Sequence, residues 1–261
     1  MKHTKSILKQ KKLKNLIQTT QPGQVLLSSY LFREGYTSGD LQKYRKGGWL
    51  ASLGKGAMVR TGKEPLLSAA IHALQQERGD WFFHLGAESA LYWQGFGQYL
   101  SWDPIPFQLM VPPTWDPPQW LLDCDWDRSL HWYRYAFLPK GYAVKSTEIE
   151  GYALSIARPE RAIIECLRLV PSYLSPQEAA ELMDNLPGLV PGILQQLLES
   201  STSVKVNRLF LYLAERAGHA WFKHLQPQQI NQGKGVRALV KGGKYVRKYN
   251  LMVPENIYTD V

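Results

Sequence analysis

Ser38, Gln42, Arg45 and Lys46 fall on one side of any helix that spans residues 37–46, because positions four and seven apart lie on a common helical face. Side chains of these types donate to phosphate oxygens and base edges, so the chemistry they suggest is recognition of double-stranded DNA. Thr37, Lys43, Lys55 and Arg60 lie close by in sequence and complete the candidate DNA-binding set. A second constellation, Asp123, Asp125 and Asp127 with His131 nearby, has the alternating carboxylates of a calcium loop. Arg128 and Arg134 stand where such a loop needs its glycine and its final glutamate, so the segment reads as an acidic turn between strands and no metal is expected. His72 sits among apolar neighbours and reads as structural. Cys124 and Cys166 form neither a CxxC nor a Cys/His cluster, which excludes a disulfide framework and a zinc site and fits a reducing, cytoplasmic setting. With no P-loop, zinc spacing, nucleotidyltransferase pattern or recognisable Ser/His/Asp context, no enzyme activity, catalytic residue or cofactor is expected.

The elements that would position the first constellation lie between Pro22 and Gly62. Near-helical spacing of Val25, Leu26, Ser29 and Phe32 predicts a helix from Gln24 to Arg33. Glu34-Gly35-Tyr36 makes a turn, and Thr37, with Asp40 three residues on, forms a capping box for a second helix whose Leu41 and Tyr44 face inward. Gly47-Gly48 ends that helix, and Trp49, Leu50 and Leu53 begin a hairpin turning at Gly54-Lys55-Gly56. This is the outline of a winged helix-turn-helix, with Lys55 at the tip of the wing. The lysine-rich residues 1–20 form an amphipathic helix, read either as the first helix of that domain, with its lysines toward phosphates, or as a solvated helix. Its apolar stripe lacks the aromatic anchors of a membrane-surface helix.

Charge supports the DNA reading. Residues 1–63 hold 13 Lys+Arg against 2 Asp+Glu, residues 64–157 hold 5 against 11, and residues 158–261 hold 13 against 9. The net +9 therefore has its source around the predicted recognition helix, where a positive field favours the phosphate backbone through counterion release. No stretch approaches the ~18 apolar residues of a membrane span. The chain is expected to be soluble and intracellular, with no membrane partner.

The rest of the chain predicts an α+β protein with a winged helix-turn-helix over 1–63 and a larger domain over 64–261. Within the latter, 64–157 reads as a mixed α/β part and 158–261 as mainly helical with a terminal β hairpin. A helix covers EPLLSAAIHALQQERG, strands cover Trp81–Leu85, Phe107–Val111 and Leu130–Tyr135, and a helix runs from Ala87 to Gln94. The aromatic density of this part reads either as core or as base stacking. From Ser155 the chain becomes helical, with Pro159 at the start of one helix and Ser175 capping the next. GLVPGILQQLLES and VKVNRLFLYLAERAG give two more. The close alternates and reads as a hairpin turning at Gly242-Gly243, with Lys234, Arg237, Lys241, Lys244, Arg247 and Lys248 along it.

Five blocks carry a family resemblance: REGYTSGDLQKYRKGGWLASLGKGAMVRTG, GAESALYWQGFGQYL, ARPERAIIECLRLVP, SVKVNRLFLYLAER and GKGVRALVKGGKYVRKYNLMVP. In this order they resemble the antitoxins of the AbiE type IV toxin–antitoxin (abortive infection, phage defence) systems. The resemblance implies a winged-helix domain before a larger antitoxin domain, and a transcriptional autorepressor that binds inverted repeats in its own promoter. It also implies functional antagonism of a cognate nucleotidyltransferase-type toxin without a tight complex. Arg161, Lys205, Arg208, Lys234 and Arg237 stand in family-like motifs and are candidates for antitoxicity. One departure stands out: many members show a Gly-Gly pair where this chain has Gly86-Ala87. An inverted repeat calls for two copies, so a monomer or dimer binding cooperatively on DNA is expected. The alternative is a winged-helix regulator whose C-terminal domain senses a small ligand.

Overall fold

The computed structural model describes residues 2–77, 83–97 and 104–260. Its contacts divide the chain into two compact units, one of 1–82, 114–129 and 148–154, the other of 83–113, 130–147 and 155–261. Both mix helices and strands, so the α+β class holds.

The first unit begins α1 (Lys2–Thr19), β1 (Val25–Leu27), α2 (Ser28–Arg33), α3 (Ser38–Lys46), β2 (Leu50–Gly54), β3 (Ala57–Arg60) and α4 (Leu67–Gln76). The helix expected over 24–33 is in fact a strand followed by a shorter helix. Val25, Leu26 and Leu27 are all buried, and a short apolar run buried on both faces has no periodicity that separates helix from strand. Antiparallel pairing decides: Val25 lies opposite Val59 and Leu27 opposite Ala57. The resulting sheet has the order β1-β3-β2. Against it Leu16, Leu26, Leu31, Tyr36, Leu41, Tyr44, Leu50 and Met58 form one core, so α1 is an integral part of the unit. In α4, His72 Nδ1 lies 2.9 Å from the Ala153 carbonyl oxygen, the structural role expected of it.

Next along the chain come β4 (His84–Leu85), α5 (Ala87–Leu91), β5 (Phe107–Val111), α6 (Gln119–Asp123), β6 (Leu130–Arg134), β7 (Val144–Ile149) and β8 (Tyr152–Ala157). Trp81 and Phe82, read as the start of a strand, lie outside the described residues. The five strands form a mixed sheet of order β6-β5-β4-β8-β7, in which β6 is an edge strand. The sequence reading missed β7 and β8 and started helix at Ser155. Their signal was Glu150-Gly151, both with positive φ (54° and 82°), the pattern of a tight hairpin turn. The acidic segment is not a turn between strands: Asp123 ends α6, where its carboxylate accepts from Gln119 (2.6 Å). Asp127 caps α4, accepting from the Leu67 N–H at 2.7 Å, and pairs with Arg128 at 2.7 Å.

The remainder is α7 (Pro159–Leu169), α8 (Pro176–Asp184), α9 (Pro191–Ser200) and α10 (Val204–Ala217), then β9 (Arg237–Ala238), β10 (Lys244–Val246) and β11 (Leu251–Val253). The Ser175/Glu178 capping box and the left-handed Gly218 that ends α10 are as expected. The terminal hairpin is not. It joins β10 to β11 through residues 247–250, with β9 parallel to β11, and Gly242-Gly243 lies outside it. Gly243 is glycine for room, because a Cβ there would collide with the Val253 carbonyl.

A buried ionic group ties β4 to α7. Glu165 accepts from Arg161 Nε (2.7 Å) and faces His84 Nε2 (2.8 Å), while its second oxygen accepts from the Ala87 N–H (3.2 Å). Burial alone would raise the Glu165 carboxyl, but His84 and Arg161, by charge and hydrogen bond, bring it below its ordinary value. Gly86 must be glycine because a Cβ would enter this carboxylate and Met110. Ala87 is held at φ 48°, a left-handed conformation that glycine adopts without strain.

Two stability outcomes follow. Glu165→Gln leaves Arg161 buried without its carboxylate and should cost about 3–5 kcal/mol in urea unfolding. Because the folded-state carboxyl is depressed, its stabilisation is present above the unfolded glutamate pKa of about 4.3 and is lost as pH falls through the lower folded value. Acid unfolding of the wild type should therefore lose a component that the Gln variant lacks. Ala87→Gly should stabilise by about 1 kcal/mol in the same assay.

Candidate nucleic-acid interface

The geometry of α3 begins at its N-terminus. Thr37 Oγ1 accepts from the Asp40 N–H (3.2 Å), and Asp40 Oδ2 accepts from the Thr37 N–H (3.0 Å), which closes the expected capping box. Asp40 is buried, and the Lys12 ammonium lies 3.8 Å from its carboxylate while donating to the Gly35 carbonyl (2.6 Å). Lys12 also lies over the Tyr36 ring, so one lysine of α1 holds the α2–α3 turn. Sequence reading had placed it, with the other lysines of residues 1–20, toward phosphates or solvent. Its signal would have been the lone buried acid opposite a stripe of cations.

Asp40, Leu41 and Tyr44 are the buried residues of α3. The other face exposes Ser38, Gln42, Lys43, Arg45 and Lys46, with Thr37 exposed at the start. Among the described residues none of these five side chains has a hydrogen-bond or ion-pair partner in the protein. The cations are therefore uncompensated and free to meet phosphates. Trp49, just beyond α3, is 45% exposed and adds an aromatic edge that the sequence reading had placed in a strand.

Lys55 stands exposed at the β2–β3 turn between two glycines of positive φ. The turn is braced from behind, since a Cβ at Gly54 would meet Trp120 Cβ at 2.7 Å. Arg60 does not join the exposed set. Its guanidinium donates to the Ile17 (2.8 Å) and Thr20 carbonyls, capping the C-terminal end of α1.

Two family models match this chain. Residues 9–102 match the N-terminal domain of the AbiEi antitoxin transcriptional regulators, and residues 106–254 match the AbiEi antitoxin transcriptional regulators of type IV toxin–antitoxin systems. The chain belongs to the AbiEi antitoxin family. The resemblance carried by the five sequence blocks is thereby borne out. No curated protein matches the AbiEi chain in sequence. In fold it is similar to the crystal structure of the RV2827C protein from Mycobacterium tuberculosis, with a TM-score of 0.55 at 16% identity over 87% of this chain and 85% of that one.

In this AbiEi chain the five antitoxicity candidates occupy different settings. Arg161 is buried, donating to Glu165 and to the Pro139 (2.7 Å) and Tyr142 (2.9 Å) carbonyls. Arg208 is 1% exposed and donates to the carbonyls of Gln232 (2.5 Å), Gly235 (2.5 Å) and Asn250 (3.0 Å). Lys205 is half-buried and donates to the Val170 carbonyl. Lys234 and Arg237 are exposed and flank Gly235, so Arg208 positions the segment that presents them. Among the described residues no cluster could hold a metal ion, and no helix is long and apolar enough to cross a membrane.

The Tyr44 hydroxyl is buried without a hydrogen-bond partner, and burial, with Asp40 and Tyr36 nearby, pushes its pKa up to about 12. Substitutions at the two polar groups should therefore act in opposite directions. Thr37→Ala should destabilise by about 1 kcal/mol through loss of the cap, and Tyr44→Phe should be neutral or stabilising, both read by urea denaturation.

Proposed function

We propose that this antitoxin represses its own operon through a winged helix-turn-helix formed by α1, β1, α2, α3, β2 and β3, and counteracts a nucleotidyltransferase-type toxin without catalysis of its own. The observation that carries the reading is the solvent face of α3, where Ser38, Gln42, Lys43, Arg45 and Lys46 have no protein partner among the described residues, on a helix fixed at its start. In this reading α3 enters the major groove, with Ser38, Gln42 and Arg45 toward base edges and Lys43 and Lys46 toward phosphates. Lys55 on the wing reaches the neighbouring backbone or minor groove. Two copies occupy an inverted repeat cooperatively. Lys234 and Arg237 are the antitoxicity candidates that a partner can reach, and Arg161, Lys205 and Arg208 serve through the fold that presents them.

A second reading, in which the C-terminal unit senses a small ligand, draws on a mainly apolar cavity of about 120 Å³ lined by Glu88, Leu91, Tyr92, Ile105, Gln108 and Glu178. The two are separated by one experiment. The purified protein is titrated against its own upstream DNA at several salt concentrations, beside Gln42→Ala/Arg45→Ala and with or without a low-molecular-weight cell extract. Sequence-selective binding with a steep salt dependence should weaken by about 1–3 kcal/mol for each lost base contact, and Lys46→Ala should lower the salt slope by about one. Indifference to these substitutions sinks the repressor reading. A shift of affinity by the extract favours the ligand sensor.

A further inference from the structure

The aromatic surface of edge strand β6 belongs to neither the DNA reading nor the antitoxicity candidates. Tyr133 and Tyr135, two residues apart, share one face with ring centroids 6.2 Å apart and planes within 5°. Tyr173, in the segment after α7, meets Tyr133 edge-on at 5.2 Å and is itself 68% exposed, the largest exposure among the large apolar side chains described. Arg168 of α7 lies 5.0 Å from the Tyr135 ring centroid and 6.0 Å from that of Phe137.

The arginine is the telling residue. In the same unit Arg161 is tied to a carboxylate and two carbonyls, Arg208 to three carbonyls, and Arg216 to Asp184. Arg168 is different: its Nε has no hydrogen-bond partner, and among the described residues its guanidinium has no acceptor at all. Lys205 adds a second positive charge within electrostatic reach of Arg168 and is itself held by the Val170 carbonyl. A structural arginine would be hydrogen-bonded like the others. This one stacks on rings with its buried Nε unbonded, beside an aromatic that projects into solvent.

We propose that Tyr133, Tyr135, Tyr173 and Arg168 form a platform for unpaired nucleotides of a single-stranded nucleic acid, the bases stacking on the tyrosines and a phosphate accepting from Arg168. Both halves of such a ligand find their complement here, because every base has a π-face for an aromatic ring and guanidinium matches phosphate geometry. A duplex does not fit, since its base faces are stacked on one another. The platform shares no residue with α3, so its failure and that of operator recognition are distinguishable.

The full-length protein is titrated by fluorescence anisotropy with labelled oligo-U and oligo-dT of about 12 nucleotides, a length within the range of single-strand sites. The expected result is saturable binding that Tyr173→Ala and Arg168→Ala each weaken by about fivefold or more, that Tyr173→Phe retains, and that Gln42→Ala/Arg45→Ala leaves unchanged. Operator binding should be intact in the Tyr173 and Arg168 variants. Preference for oligo-U identifies RNA as the source, preference for oligo-dT identifies single-stranded DNA, and equal binding means a platform indifferent to the sugar. Tyr173 is exposed, so its replacement tests the site even if Arg168→Ala is unstable. Absence of saturable binding, binding untouched by loss of Tyr173, or binding lost with Gln42 and Arg45 would overturn the proposal.

Discussion

One buried carboxylate sets the direction in which the first unit presents its charge. Asp40 closes the capping box with Thr37 and faces the Lys12 ammonium. These contacts fix the start of α3 and lock α1 onto the α2–α3 turn. A charge buried in this way is tolerable only because it is both hydrogen-bonded and paired. The outward residues of α3 therefore need no partners in the protein, and their charge stays available. Among the described residues Asp40 is the unit's one buried acid and is compensated, while the cations on the outer face of α3 have no protein partner, so that face carries an uncancelled positive charge.

The second unit uses charge for a different purpose. Its arginines at 161 and 208 are interior ties, each gathering backbone carbonyls from segments distant in sequence. Such groups would be costly left alone and are stable here because each guanidinium meets several acceptors in the interior. The glycine at 86 and the strained Ala87 belong to the same construction, since the Glu165 carboxylate occupies the space beside them. Against this background Arg168 stands out, its guanidinium packed on the Tyr135 and Phe137 rings and, among the described residues, without an acceptor.

Much of both units was legible in the sequence because their signals are local. Capping boxes at Thr37/Asp40 and Ser175/Glu178 satisfy backbone groups within a few residues, proline at the start of α7 removes a donor that would lack a partner, and glycine after α10 takes the left-handed turn, so residue type alone identifies them. The solvent face of α3 followed from helical period, and the family followed from five blocks in order. What failed was non-local. Val25–Leu27 is a strand because β3 offers it partners, and the terminal sheet pairs β11 with β9 in parallel, a choice that no turn residue announces.

The sequence by itself determined the capped starts of α3 and α8 and the glycine end of α10, which residues of α3 face water, the basic character of the N-terminal quarter and the family. The tertiary structure decided the roles of the charged residues. Lys12, Arg60, Arg161 and Arg208 look in sequence like any other cation, yet backbone carbonyls and buried carboxylates claim them, while Gln42, Arg45, Lys234 and Arg237 stay at the surface. The physical reason is that a long flexible side chain takes its role from whichever acceptor folding brings within reach, and that acceptor is often dozens of residues away.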